Sequence, residues 1–193
     1  MNILRIDASA RYQNSVSRQL ADELITKLKE QHDNAEVVVR DVAKGLPFVN
    51  EEMVTAYNTS AEDRTTEQKH LLGTSDALVA ELNAADTIVL SAPIYNFSVP
   101  ASLKAYIDLV ARVGLTFAYS SEGPKGLLRD RKTYLVITSG GTPVGSDIDY
   151  ATGYLKHVLK FIGITDVEVI AADSLSRTGS DKLKQVHQQI QAI

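Results

Sequence analysis

Two hydrophobic periods alternate along the chain. Short β-branched or aliphatic runs at residues 3–8, 36–41, 87–92, 133–138 and 166–171 predict five strands. Thr87-Ile88-Val89-Leu90 and Tyr134-Leu135-Val136-Ile137 are apolar without in–out alternation. That is the pattern of central strands in a parallel sheet covered on both faces. Between the runs, Leu20, Leu24, Ile25 and Leu28 fall on one helical stripe, with Ser17 as its expected N-cap. The same spacing relates Leu71, Leu78 and Leu82; Leu103, Ile107 and Val110; Leu155, Val158, Leu159 and Ile162; and Leu183, Val186 and Ile190.

Strand and helix in turn predict an α/β fold: a flavodoxin-like, five-stranded parallel sheet of order 2-1-3-4-5, with helices on both faces. Two stretches interrupt the alternation. Residues 45–64, with Gly45, Pro47 and a polar cluster at 58–64, read as a helix-containing excursion over the surface. Residues 115–129 carry Thr116-Phe117-Ala118-Tyr119 and then Gly123-Pro124-Lys125-Gly126. They read as a small hairpin inserted before strand 4. Neither is long enough for a domain, so residues 1–193 are expected to form one domain.

Composition narrows the chemistry. With 193 residues, 44% of them hydrophobic and 23% charged, the chain can build one core without a metal or disulfide. The sequence has no Cys, which removes thiol nucleophiles, thiolate metal sites and CxxC pairs. Twenty Lys and Arg against 24 Asp and Glu give a net charge of -4 with no basic block. Nucleic acid is therefore not an expected partner. No apolar run reaches a membrane-spanning length, and the first residues lack a signal-peptide layout. The cytoplasm is the expected location.

In an open parallel sheet, ligands bind beyond the carboxyl ends of the strands, where strand order reverses. Three loops lie there. The first, residues 9–18, holds Ser9, Asn14, Ser15 and Ser17 and runs into a helix. Hydroxyls, amides and the positive helix end suit a phosphate, and the same residues suit an ordinary polar turn and cap. The second carries Pro93, Ile94, Tyr95, Asn96 and Phe97 and leads into a helix whose first turn is expected to contain Pro100. Its aromatics suit the wall of a pocket for a flat ring, with Asn96 as donor and acceptor, and equally suit packing on a neighbouring helix or subunit. The third is Ser139-Gly140-Gly141-Thr142. Its glycines admit close backbone approach to a ligand, or simply a tight turn.

Other chemistries lack their residues. There is no GxGxxG after the first strand, and the Gly140 and Gly145 spacing is followed by Ser146-Asp147 where a P-loop needs Lys. Ser91-Ala92-Pro93 stands where a phosphoacceptor domain needs Asp, and GxSxG and HExxH are missing. His32, His70, His157 and His187 are scattered, at positions that suit a surface or an interface. A cleft without an evident acid, base or nucleophile fits chemistry carried by a cofactor.

Several blocks identify a family resemblance. They are Ser9 with Ser15-Val16-Ser17, Ala92-Pro93-Ile94-Tyr95-Asn96-Phe97, Leu109 to Gly114, Gly123 to Leu127, and Phe161 to Asp166; Gly-x-Thr-Phe, Gly114 to Phe117, adds a further match. The chain resembles the FMN-dependent NADH:quinone oxidoreductases, also called bacterial azoreductases, relatives of the NAD(P)H dehydrogenase (quinone) family with a flavodoxin-like fold. The resemblance implies that Ser9 and Ser15, Val16 and Ser17 hold the FMN phosphate. It further implies that Pro93 to Phe97 follow the isoalloxazine and that Ser139, Gly140, Gly141 and Thr142 meet its polar edge. One departure stands out: family members often carry an Arg between that Ser and the Gly pair, and here Ser139 is followed directly by Gly140.

The same resemblance implies a homodimer whose sites are completed by the partner chain, with Tyr119 and Phe161 near the substrate. No protein side chain is then expected to be catalytic and no metal is expected. NADH, or alternatively NADPH, would deliver hydride to flavin N5 and leave, and a quinone or azo compound would take its place in a ping-pong sequence. A flavodoxin-type electron carrier with the same fold and FMN is the rival expectation, and a ligand-free regulatory domain a third.

Overall fold

The computed structural model of the protein describes residues 1–193, the side chain of Thr178 excepted. Five parallel strands, β1 (Asn2–Asp7), β2 (Glu36–Asp41), β3 (Thr87–Pro93), β6 (Thr133–Thr138) and β7 (Val167–Ala172), form one sheet in the order β2-β1-β3-β6-β7. Counted without the hairpin, this is the expected 2-1-3-4-5. Three strands differ by one residue from the apolar pattern: the first begins and ends one residue earlier, the third ends one residue later at Pro93, and the last begins and ends one residue later. The hydrogen-bonded register sets them, Asp7 lying beside Asp41 and Ser91, and Thr138 beside Ala172.

The two apolar runs are buried throughout, except for Pro93 at the end of β3. Helices on both faces cover them. On one face α1 (Val16–Gln31) and α6 (Leu175–Gln191) bury Leu20, Leu24, Val186 and Ile190 against Ile3, Val89, Val136 and Ile170. On the other, α2 (Glu51–Asn58), α3 (Thr66–Ala84), α4 (Ala101–Val110) and α5 (Thr152–Ile162) enclose Leu4, Ile6, Leu90, Leu135 and Ile137. Alternation of side chains along each strand feeds the two cores separately.

Local chemistry marks the helix ends. Thr65 and Gln68 form a reciprocal capping box at α3, and the Asn50 carboxamide accepts the Met53 amide at the start of α2. Three sequence expectations need correction. Ser17 is not the cap of α1: Ser15 takes that position, and Ser17 lies buried inside the first turn. Pro100 precedes α4 as its N-cap rather than lying in the first turn. In α3 Leu71 is only half-buried, while Leu72, Ser75 and Val79 join Leu78 and Leu82 on the inward face.

The excursion after β2 contains a single 3-10 turn at Val42–Lys44 and then α2. The hairpin is also present, as β4 (Phe117–Ser120) paired antiparallel with β5 (Gly123–Gly126). Two glycines seat it. A Cβ on Gly126 would stand 2.2 Å from the Gly163 amide nitrogen, and one on Gly163 2.6 Å from the Leu128 carbonyl oxygen. Gly163 also ends α5 with φ of 109°, a left-handed cap that L side chains rarely adopt. The hairpin therefore lies backbone to backbone on the end of α5.

Gly126→Ala should force that contact apart and destabilise the fold by about 2 kcal/mol. Thermal unfolding monitored by circular dichroism checks this; an unchanged midpoint would contradict the close approach.

Candidate functional site

The carboxyl ends of β1, β3 and β6 open on one cleft of about 340 Å³. Its lining includes Ser9, Ser15, Val16 and Ser17 from the first loop, Pro93, Ile94 and Tyr95 from the second, and Ser139 and Gly140 from the third. The three loops singled out in the sequence thus meet where strand order reverses, between β1 and β3.

The first loop is built to expose donors. Asn14 takes a left-handed conformation with φ of 57°, one that Asn tolerates, and turns the chain into α1. Ser15, at the N-cap, makes no side-chain capping bond to a backbone amide of the helix, so first-turn amides remain available. Its hydroxyl lies 3.3 Å from that of Ser17, and both side chains are buried. Ser9 is buried too, and its oxygen accepts the Arg11 amide at 3.2 Å, leaving its proton free to donate. Three hydroxyls and a helix N-terminus converge without a buried cation in the lining. Among the described residues Arg11 is the only basic one there, and it is exposed.

Beneath this loop lies an ionic cluster. The buried Asp7 carboxylate accepts from the Ser91 hydroxyl at 2.7 Å, from Arg5 Nε at 2.9 Å and from Arg18 Nη1 at 3.3 Å. Arg18 Nη2 donates to Asp41 and to the carbonyl of Ser9, each at 2.8 Å.

The second loop makes a tight two-residue turn. Tyr95 and Ser98 exchange backbone hydrogen bonds at 3.0 and 3.1 Å, with Asn96 and Phe97 both at positive φ, 48° and 70°. Asn adopts this conformation readily, whereas Phe is strained there. Both side chains are exposed and stand outside the lining of the cleft. The Phe97 carbonyl accepts the Tyr150 amide at 3.0 Å, which brings residues 143–150 to the same mouth.

The third loop is held from below. The Ser139 hydroxyl donates to the Thr142 carbonyl and accepts the Ser174 amide, so its proton is already engaged. Gly140 lines the cleft, and a Cβ there would meet the Ser176 hydroxyl oxygen at 3.2 Å. Gly141 has open space around it, and Thr142 is buried; neither lines the cleft. Tyr119 and Phe161 lie elsewhere, on β4 and α5, where Phe117 joins them in an aromatic cluster with centroid distances of 5.5 and 4.4 Å. Tyr119 is 73% exposed.

Sequence reasoning missed several lining residues. Arg11 and Asn14 were inside the first loop but carried no pattern of their own, and Thr138 ended a strand. Leu175 and Ser176 enter from the start of α6, joined to the third loop by the Leu175 and Ser176 amides donating to the carbonyls of Ser139 and Gly140. Only the pairing of β6 with β7 brings them near. All four histidines are exposed and lie outside the cleft.

Two carboxylates order the rim. Burial alone would raise the pKa of Asp149, but the Thr152, Gly145 and Ala151 amides, from which it accepts, bring it below the ordinary carboxylate range. Burial would also raise that of Asp173, where the Lys182 ammonium at 2.7 Å and the Val144 amide prevail and lower it.

The model of the flavodoxin-like fold family matches residues 1–193. The chain is 48% identical to FMN-dependent NADH:quinone oxidoreductase 1 of Jannaschia sp. (strain CCS1), over 100% of this chain and 98% of that protein. It is 54% identical to the FMN-dependent NADH:quinone oxidoreductase of Thiobacillus denitrificans (strain ATCC 25259 / T1), over 90% of this chain and 84% of that one. Among solved structures, the azoreductase from Bacillus anthracis str. Sterne superposes with a TM-score of 0.87 at 26% identity, each chain covered in full.

The depressed Asp149 pKa means that its contribution to stability is present above the unfolded pKa and disappears as pH falls through the folded one. The amide resonances of Gly145, Ala151 and Thr152 should titrate together in NMR spectra, with a midpoint below the ordinary Asp value of 3.8. A midpoint at or above that value would contradict the hydrogen-bonded carboxylate.

Proposed function

Since the chain belongs to the family of FMN-dependent NADH:quinone oxidoreductases with a flavodoxin-like fold, we propose that it binds FMN in this cleft and reduces quinones and azo compounds with NADH. NADPH is an alternative donor, and the cytoplasm is the proposed site of action. No helix among the described residues is long and apolar enough to cross a membrane.

The observation that carries the reading is the helix N-terminus at Ser15. There, buried hydroxyls and uncapped amides converge on a pocket of ligand size. A phosphate dianion fits such donors. Ser9, Ser15, Val16 and Ser17 would hold it, Pro93, Ile94, Tyr95, Asn96 and Phe97 would follow the flat ring, and Ser139, Gly140, Gly141 and Thr142 would meet the ring's polar edge. Ser139 contributes through the backbone, because its hydroxyl is already engaged. When bound, FMN supplies two-electron chemistry, taking hydride from the nicotinamide and returning it to the acceptor in a second half-reaction.

The protein's part is binding and electrostatics. The Asn96 carboxamide, exposed beside the cleft, and nearby backbone amides would stabilise negative charge at the ring. A quinone that gains hydride also gains one proton, which water or a loop hydroxyl can deliver. An undemanding aromatic surface suits donor and acceptor alike, since flat molecules of different outline must occupy it in turn.

A second copy of the chain would complete that surface. Phe97, Val113, Leu115, Tyr119, Leu127 and Tyr150 are all exposed, more large apolar side chain than a solitary enzyme commonly leaves in water. In the proposed homodimer, Tyr119 and Phe161 of one copy face the substrate of the other.

Purified protein reconstituted with FMN should lose its yellow colour on anaerobic addition of NADH and regain it with a benzoquinone. Inertness toward NADH in an FMN-loaded sample would favour an electron carrier and overturn the enzymatic reading. Ser17→Ala should weaken FMN binding about tenfold, by removing one donor to a charged group; fluorescence titration of the apoprotein measures it. Light scattering should give the mass of two chains, and a fully active monomer would contradict a shared site.

A further inference from the structure

We propose that Arg18, which does not line the cleft, is a positioning residue for the cofactor phosphate. The proposal rests on the FMN reading above and names what shapes the loop that would hold the phosphate.

Arg18 sits in the first turn of α1, at the far end of the 9–18 loop, and its side chain is only 13% exposed. Nη2 donates to the carbonyl of Ser9, the residue with which the loop begins. The ring of Tyr12, midway along the loop, lies 4.7 Å from the guanidinium carbon. One side chain therefore touches the loop's beginning and middle from its end. It acts as a clasp outside the cleft, whose lining includes Ser9, Ser15 and Ser17 but not Arg18.

The same guanidinium has an electrostatic task. It pairs with Asp7, two residues before Ser9, and with Asp41 at the carboxyl end of β2. Both carboxylates stand at the ligand end of the sheet, and Asp7 is buried. Left unpaired, they would oppose a dianion in the adjoining loop. Arg5 shares Asp7 but makes no contact with Asp41 among the described residues, so it cannot replace Arg18 at both. A planar fork that reaches a carbonyl and two carboxylates at once is a geometry that Lys cannot reproduce. Arg18 Nε remains buried without a partner, which is unfavourable for folding and unexpected if stability alone had chosen the residue.

A structural role and a positioning role separate when two ligands differing only in the phosphate are compared. Apoprotein would be titrated with FMN and with riboflavin, following quenching of flavin fluorescence, in the native chain, Arg18→Gln and Arg18→Lys. The native chain should bind FMN more tightly than riboflavin. Arg18→Gln should lose about tenfold in FMN affinity and change riboflavin affinity by less than about twofold. Arg18→Lys, which keeps the charge, should show a smaller loss with the same selectivity.

Equal losses for both ligands, or no loss for FMN, in a folded variant would overturn the proposal. If Arg18→Gln does not fold, the Arg18→Lys titration decides by the same criterion. If the native chain does not prefer FMN to riboflavin, the phosphate reading itself fails, visibly before any variant is compared, and the proposal falls with it.

Discussion

A buried carboxylate at the end of β1 organises this molecule. Taking Asp7 out of water is costly unless its oxygens are paired, and they are paired by groups from β1, β3 and α1: Arg5, Ser91 and Arg18. Those partners join the two strands between which the order of the sheet reverses, and they fix where the chain leaves β1 for the helix. The cleft is the space that this arrangement leaves above itself. A parallel sheet with both faces covered has little else to offer a ligand, because its side chains are committed to the two cores and only the strand ends are free.

The site so produced is made of donors more than of charges. Buried hydroxyls of Ser9, Ser15 and Ser17 and the start of α1 favour an anion without requiring a cation in the lining to be desolvated. Beside the cleft the chain accepts strain. Phe97 is held at φ of 70° by a two-residue turn and by the Tyr150 amide, so that an apolar ring faces outward where a soluble surface would ordinarily carry a polar one. Strain of this kind persists where the surroundings impose it, and it clusters at binding sites. The exposed aromatic mouth and the polar phosphate end are thus two consequences of one topology.

Much of this was legible in the sequence. Non-alternating apolar runs at 87–92 and 133–138 marked the sheet's centre, and Gly123-Pro124-Lys125-Gly126 marked the hairpin. The three loops that meet at the cleft followed from the rule for parallel sheets. What could not be read depended on contacts between segments distant in the chain. Leu175 and Ser176 reach the cleft only because β7 pairs with β6, and Ser139 spends its hydroxyl on Thr142 and Ser174 in a way that no local pattern records. Ser15 rather than Ser17 caps α1 because Asn14 reverses the backbone just before it, a conformational choice invisible to periodicity. The pairing of Arg5 and Arg18 with Asp7 was equally hidden, since it joins residues of β1 and α1 that no local pattern relates.

Crystals of the protein grown with FMN test the central claim most directly. The phosphate should lie within hydrogen-bonding distance of the Ser15 and Ser17 hydroxyls and the first amides of α1, with the ring extending past Tyr95 toward Phe97. Flavin density at another surface, or a phosphate turned away from α1 and held chiefly by Lys or Arg side chains, would contradict the account.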